Sequence, residues 1–247
     1  MRTFFTFYGG KWRAAPRYPA PDHETVIEPF AGSAGYSIRH HRRKVILVER
    51  DPVIAATWRY LLRVSESEIL GLPDLLPGET VHDLELCEEA THLVGWWLNK
   101  GAEGPRRKPS AWMRGGTRPN SFWGEAIRNR IASQLQGIRH WQLIEGDYSS
   151  APDIEATWFI DPPYEAAGKH YRFGSDLLDY AGLSDWCRSR CGQAMVCENV
   201  GAGWLPFTPF LEIKANGTSG RSKTSKEALW QSTRSVEEKT NGCVHRV

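Results

Sequence analysis

The chain has 247 residues, 40% of them hydrophobic and 24% charged. These fractions exclude a disordered or fibrous protein and leave room for one large α/β domain, or for a domain carrying an insertion, with a core that needs no staples. The formal net charge is only +2, so the overall balance favours no acidic or basic partner, although the distribution along the chain does.

The apolar start, Met1-Arg2-Thr3-Phe4-Phe5-Thr6-Phe7-Tyr8, gives way at once to Gly9-Gly10-Lys11 and does not read as a signal peptide. No apolar run approaches the roughly 18 residues of a spanning helix, so no membrane association is expected. Five cysteines at 87, 187, 191, 197 and 243 lack framework spacing, which suggests reduced thiols in a cytosolic compartment.

Thr25-Val26-Ile27-Glu28 is a β-branched run predicting a strand, and it ends in Pro29-Phe30-Ala31-Gly32-Ser33-Ala34-Gly35. A helix is expected to start between Ser33 and Tyr36 and to run to about Lys44. Val45 to Glu49 is the next buried strand. Asp51-Pro52 then opens a helix, Asp51 as N-cap and Pro52 at the first helical position. Strand, turn, helix, strand and helix in succession form a parallel α/β unit.

The middle differs. Leu86, Ala90, Leu93, Val94 and Trp97 keep helical spacing and predict an amphipathic helix over residues 82–99. Residues 100–120, rich in Gly and Pro, read as a long irregular loop. Ile127, Ile131, Leu135 and Ile138 mark a second helix over about 122–138. Residues 64–99 hold eight acids and no Lys or Arg, whereas residues 100–139 hold nine bases against Glu103 and Glu125 alone. Basic residues interleaved with Trp96, Trp97, Trp112, Phe122 and Trp123 fit a nucleic-acid surface, cations meeting phosphates and rings stacking on bases. Arg106, Arg107, Lys108, Arg114, Arg118 and Arg128 are the candidate contacts. A solvated basic loop with its tryptophans in the core is the competing account.

The α/β pattern then resumes. Strands are expected at Gln142 to Glu145, at Ala156 to Ile160 and at Ala194 to Cys197, with Phe210 to Ile213 and Ala228 to Trp230 as a terminal antiparallel pair. Residues 217–226 read as a flexible basic loop or hairpin tip. Cys187 and Cys191 lie one helical turn apart without further ligands, and no metal site is expected.

Ligands of open parallel sheets bind beyond the carboxyl ends of the strands. Those ends carry Glu28, Glu49, Asp147, Asp161 and Glu198, five acids each following an apolar run. Gly32 and Gly35 let backbone approach a ligand closely. The turn is neither G-x-G-x-x-G nor a P-loop, which favours an adenosine-type ligand without phosphates. Glu49 stands where an acid grips ribose hydroxyls. Asp161-Pro162-Pro163-Tyr164 is the strongest signal. Two prolines after an apolar strand fix a rigid backbone, and the carbonyls of Asp161 and Pro162 have no neighbouring N–H to bind. With the Asp161 carboxylate they form a cluster of acceptors suited to an exocyclic NH2 group, and Tyr164 offers a face on which a flat base stacks. A Pro-Pro turn capped by Asp is the plainer alternative.

With these residues the chain resembles the S-adenosylmethionine-dependent DNA adenine-N6 methyltransferases of the Dam-like (alpha) class. Phe7-Tyr8-Gly9-Gly10-Lys11 is similar to that class's N-terminal glycine-lysine motif, residues 28–35 to its cofactor glycine motif, and Asp161-Pro162-Pro163-Tyr164 to its catalytic motif. The resemblance covers residues 4–30 and 140–200 well and the middle by position only; Glu49 departs from it, many relatives having Asp. It implies a Rossmann-like methyltransferase sheet with an antiparallel last strand, formed by residues 1–65 and 140–247, and an inserted, mostly helical DNA-recognition region at 66–139. It implies S-adenosylmethionine on Phe7, Tyr8, Gly10, Lys11, Glu28, Phe30, Gly32, Ser33, Ala34, Glu49, Arg50, Asp147, Tyr148 and Asp161, with catalysis by Asp161, Pro162, Pro163 and Tyr164. The partner it implies is double-stranded DNA, with a companion restriction nuclease as a further candidate, in a cytoplasmic enzyme of bacterial or phage origin. Alternatives are an RNA or cytosine-N4 methyltransferase, the latter more often carrying Ser in place of Asp161, or a catalytically silent DNA-binding protein on the same scaffold.

Overall fold

The computed structural model describes residues 1–116, 119–216 and 222–232. Strands β1 (Thr25–Glu28), β2 (Lys44–Glu49), β3 (Gln142–Glu145), β4 (Ala156–Ile160), β5 (Gly192–Asn199), β6 (Thr208–Asn216) and β7 (Ser222–Gln231) form one sheet in the order β3-β2-β1-β4-β5-β7-β6. β1 to β5 run parallel, and β7 is antiparallel to both β5 and β6. This is a mostly parallel mixed sheet compatible with a Rossmann-like arrangement. The expected terminal antiparallel pair is present. Of the expected loop at 217–226, residues 222–226 belong to β7, and 217–221 lie outside the described residues.

Strict alternation divides the core. Val26, Leu47, Phe159, Met195, Cys197 and Leu229 face one side, where they join the N-terminal segment and most of the helices. Ile27, Val48, Trp158, Ile160, Ala194, Val196 and Trp230 face the other, against Leu183 and Cys187. One-residue alternation over both faces is the signature of strands buried on both sides.

The helices are α1 (Gly35–Arg39), α2 (Pro52–Arg63), α3 (Glu66–Gly71), α4 (Glu88–Trp97), α5 (Ala111–Arg114), α6 (Glu125–Ala132) and α7 (Tyr180–Ser189). The Asp51 side chain caps α2 by accepting from the Val53 N–H at 2.9 Å, as expected. α1 stops short of its expected end because the Arg43 N–H closes a turn on the His40 carbonyl and β2 starts at Lys44. The helix expected over 82–99 is broken in two. Thr80 and Asp83 form a capping box on the turn Val81–Leu84, Glu85 takes the left-handed region at φ 51°, and α4 begins only at Glu88. The second expected helix likewise ends as α6 at Ala132 and continues as a 3-10 turn, Leu135–Ile138. α3, with its Ser65/Glu68 capping box, and α7, capped by Asp179, have clear start signals that the apolar periodicity alone does not pick out. Within the Gly/Pro-rich loop, Ser110 caps the short α5.

Trp96, Trp97, Phe122 and Trp123 are buried, so these four aromatics are core residues and not a stacking surface; the side chain of Trp112 lies outside what is described. Leu93, Val94, Trp96, Ile127 and Ile131 share one apolar cluster with Val26, Leu47 and Trp58, so the insertion is packed into the main core. Trp96 Nε1 donates to Thr57 Oγ1 at 3.1 Å, tying α4 to α2. Cys87, Cys187 and Cys197 are free thiols, but Cys191 is disulfide-bonded, which corrects the expectation of uniformly reduced cysteines. Spacing in sequence carries no information about long-range pairing.

Candidate active site

The sheet order reverses between β1 and β4, and the crevice beyond their carboxyl ends is where a ligand site is expected in such a sheet. A cleft of about 1040 Å³ opens there, lined by the N-terminal segment, the glycine turn and the residues after β2, β3 and β4.

The glycine turn is held from both sides by carboxylates. Glu28, 2% exposed, accepts from the Ser37 N–H at 2.6 Å and ties β1 to the first turn of α1. Glu49, 8% exposed, accepts from the Gly32 N–H at 2.9 Å and the Asp51 N–H at 2.8 Å. Gly32 and Ala34 take left-handed conformations at φ 47° and 49°, so the chain reverses sharply between β1 and α1. A Cβ on Gly32 would stand 3.2 Å from the Phe7 ring, which lies over this turn. Burial pushes Glu28 up to about 8 and Glu49 up to about 7, the amide hydrogen bonds offsetting part of that cost.

Gly9, at φ 76°, lets Phe7 to Lys11 fold back, with the Gly10 N–H donating to the Phe7 carbonyl at 3.2 Å. This aims Lys11 inward. Its Nζ lies 2.9 Å from Asp161 Oδ1, 3.7 Å from Glu227 Oε1 and 4.9 Å from the centre of the Tyr164 ring, and it donates to the Gly9 carbonyl at 3.2 Å. Burial disfavours the ammonium, but Asp161 and then Glu227 outweigh it and hold Lys11 charged, above its usual range. Burial raises the Asp161 carboxyl, and Lys11 offsets only part of the rise. Tyr18 donates to Glu227 Oε2 at 2.6 Å, so the second carboxylate is itself anchored. Glu227 and Tyr18 escape sequence reasoning because they lie 209 residues apart. The one local clue is an acid at the head of the apolar run Ala228-Leu229-Trp230.

Asp147 caps the turn Tyr148–Ser150 and meets Arg50 Nη1 at 3.4 Å. The Tyr148 ring stacks on Phe30, centroids 5.5 Å apart. Tyr180 donates to the Pro163 carbonyl at 2.5 Å, holding the chain after β4. Tyr164 Oη is buried beside Asp161 without a well-formed hydrogen bond. Glu198, in contrast, is fully buried and accepts from Glu165 N, Trp204 Nε1 and Asn199 N. It anchors the loop after Tyr164, and Asn199 lines the cleft in its place. Tyr171 stacks on Phe7 at 5.7 Å and, with Arg172 and Phe173, walls the cleft.

The structure thus gathers Phe7, Tyr8, Gly10, Lys11, Glu28, Phe30, Gly32, Ser33, Glu49, Arg50, Asp147, Tyr148, Asp161, Pro162, Pro163 and Tyr164 on one cleft. Ala34 is fully buried behind the turn. The basic candidates fare differently. Arg106, Arg107 and Lys108 are exposed, and the first two border a separate hollow with Val81 and His92. Arg114 is exposed and donates to the Pro109 carbonyl. Arg128, 12% exposed, pairs with Asp74. Arg118 lies outside the described residues. The cations on the cleft itself include Arg130, one of the nine bases of residues 100–139, and Arg2, Arg13 and Arg17, which lie outside that block. Among the described residues no group of three or more His, Cys, Asp or Glu could hold a metal ion, and no helix is long and apolar enough to cross a membrane.

A scan of protein-family models and a search of curated protein sequences each return no match for this chain.

Proposed function

We propose that the cleft binds S-adenosylmethionine and directs methyl transfer to the N6 amine of an adenine flipped out of duplex DNA. The observation carrying this reading is the position of Asp161-Pro162-Pro163-Tyr164 at the end of β4, beside the strand-order reversal, in one cleft with Lys11 and the carboxylate-held glycine turn. The residues fit the cofactor. Gly32 leaves space that a side chain would take from Phe7. Glu49 retains lone pairs beyond the two used by amides, enough to accept ribose hydroxyls. Asp147 is placed to accept an adenine amine beside the Tyr148 ring. The acids on the cleft floor offer a pyrophosphate no counter-charge; Glu49 is the one to face a sulfonium cation, since Glu28, pushed up to about 8, is mostly neutral at pH 7 and Asp161 is paired with Lys11.

When bound, the cofactor supplies an electrophilic methyl group that needs no metal or acid to activate it. The chain's share is positioning and electrostatics. A base within a duplex cannot reach the rim of the sheet and is extruded, at a cost of a few kcal/mol offset by stacking on Tyr164 and by phosphate contacts. Asp161 Oδ and the Pro162 carbonyl accept the two amine protons and free the nitrogen lone pair. Lys11 holds the Asp161 carboxylate in place, and the raised affinity of this buried carboxyl for protons suits it to receive one after transfer. The decisive assay supplies labelled S-adenosylmethionine with duplex DNA, RNA or no nucleic acid and analyses the nucleosides. N6-methyladenine from duplex DNA is expected; label in RNA or cytosine, or no cofactor binding at all, defeats the reading.

Two results are expected on binding. Cofactor affinity falls as pH is lowered through about 7, because Glu49 then takes up a proton that the ribose hydroxyls must displace. Glu49→Gln flattens that dependence and weakens binding by about 1–3 kcal/mol; titration calorimetry at several pH values decides, and a pH-independent wild type refutes the role. Tyr164→Phe keeps most activity, since stacking needs a ring and not a hydroxyl, whereas Tyr164→Ala loses about 10- to 100-fold, the worth of one stacked base. Equal loss in both variants in single-turnover assays rules out stacking.

A further inference from the structure

Lys11 serves two buried carboxylates, and methyl transfer uses only one of them. Glu227, 6% exposed, stands in β7 two residues before Leu229, so its side chain falls on the same face of the sheet, against the N-terminal segment. Its Oε2 accepts from Tyr18 Oη at 2.6 Å, and its Oε1 lies 3.7 Å from Lys11 Nζ. The same ammonium stands 2.9 Å from Asp161 Oδ1. The sharing shows in where the ammonium points. Asp161 Oδ1 receives no well-formed hydrogen bond despite the short distance, and Lys11 donates instead to the Gly9 carbonyl at 3.2 Å. Oδ1 is fully buried, whereas the Asp161 side chain as a whole keeps 19% of its surface exposed on the cleft. Lys11 therefore holds the inner oxygen, and the rest of the carboxylate is what a ligand meets.

Stability alone gives no reason for Glu227. A carboxylate on an apolar sheet face is costly to bury, and well-packed apolar residues often do as well as a buried ion pair or better. With one ammonium for two carboxylates, the cluster keeps a surplus of negative charge. The surplus has an electrostatic effect. An ammonium paired with Asp161 alone would neutralise it and weaken its hold on a proton, and a second carboxylate draws part of that cation away. Glu227 accordingly raises the affinity of Asp161 for protons, in opposition to Lys11.

We propose that Glu227, anchored by Tyr18, is a positioning residue that acts through Lys11, keeping the Asp161 carboxylate oriented yet only partly neutralised so that it grips the amine of the target base. The assignment rests on the methyl-transfer reading given above and adds to it a residue from the last strand of the sheet.

The test uses Glu227→Gln, which keeps the size and an acceptor for Tyr18 but removes the charge, and Glu227→Asp, which keeps the charge. The Asp161 carboxyl is titrated directly by carboxyl-carbon NMR of the aspartate-labelled full chain, its signal assigned by its loss in Asp161→Asn. The other groups facing Asp161 are Tyr18, Glu28, Tyr164, Tyr171 and Cys197. They are the same in wild type and variants, so a difference between titrations reports Glu227. The kcat and the KM for duplex DNA are followed against pH at saturating cofactor, with melting temperatures on the same samples. In Glu227→Gln the Asp161 midpoint and the acid limb of kcat are expected to move together to lower pH by about one unit. The plateau kcat falls about 3- to 10-fold, because a unit of basicity is worth at most about tenfold in rate, and KM stays at the wild-type level. Glu227→Asp returns the midpoint toward wild type. A midpoint that stays in place or rises in Glu227→Gln overturns the proposal. So does a variant whose rate falls only in step with a lower melting temperature and a higher KM, its acid limb unmoved, which marks a structural glutamate. Wild type that methylates no duplex defeats the underlying reading instead. That outcome is told apart by the NMR titration, which needs no substrate and by itself upholds or overturns the hold of Glu227 on Asp161.

Discussion

Asp161→Ala is expected to lower the rate of methyl transfer by at least about 10²–10³-fold, the usual effect of removing one preorganised polar partner of a reacting group. The loss falls on the chemical step. The carboxylate is placed to hold the target amine, while the DNA backbone meets other parts of the cleft, so duplex is expected to bind with near wild-type affinity; cofactor affinity is measured beside the rate because Asp161 also borders the cofactor's place. The fold is expected to survive for a specific reason. Deleting one member of a buried ion pair costs several kcal/mol when the survivor is left alone, but Lys11 keeps Glu227 at 3.7 Å, and Glu227 is anchored by Tyr18. Asp161→Asn makes the test sharper. It keeps the size and one acceptor but turns an NH2 toward an amine that must also donate, so its activity should lie close to that of alanine. Single-turnover rates with calorimetric cofactor affinities separate the outcomes. An Asp161→Asn enzyme near wild-type rate would show that the carboxylate does not hold the amine.

The same residues show what can be read from a chain and what cannot. β1, β2, β4 and β5 are visible because strands buried on both faces are unbroken apolar runs, and each apolar run gives way to an acid at its carboxyl end. Asp51-Pro52 is visible because capping is local chemistry. The grouping of Lys11 with Asp161 came from family likeness, since 150 residues separate the two and no local rule joins them. Glu227 and Tyr18 were invisible for that reason. The insertion misleads in the opposite direction. In its second half, residues 100–139, bases outnumber acids, yet Arg128 is bound to Asp74 and Arg130 lies on Trp97. A surplus of charge along the chain therefore does not say which cations face a ligand. The helical periodicity of Leu86 to Trp97 is real and becomes α4, but it does not reach back to residue 82, where a capping box closes its own turn before Glu85.

Gly35→Ala is expected to destabilise the protein, against the rule for helices. Exchanging Gly for Ala within a helix ordinarily stabilises by up to about 1 kcal/mol. At Gly35, however, a Cβ would stand 2.4 Å from Trp12 N, 2.8 Å from Lys11 C and 2.9 Å from Lys11 N, all backbone atoms of a neighbouring turn. None of these is the free end of a side chain that could swing away, so the segment carrying Lys11 must move. Overpacking of this kind costs about 1–3 kcal/mol, enough to cancel the helical gain and exceed it. Displacing Lys11 by even about 1 Å disturbs its contact with Asp161, and misplacement on that scale costs on the order of 10²-fold in rate. Gly71→Ala is the control. Gly71 ends α3 with nothing within 4 Å of its added Cβ, and there alanine should hold the melting temperature or raise it, with activity unchanged. Calorimetric melting and initial rates of the two variants decide the matter. If Gly35→Ala melts above wild type, as propensity alone demands, the close approach of Lys11 and Trp12 to α1 is wrong, and so is the placement of Lys11 over Asp161 that depends on it.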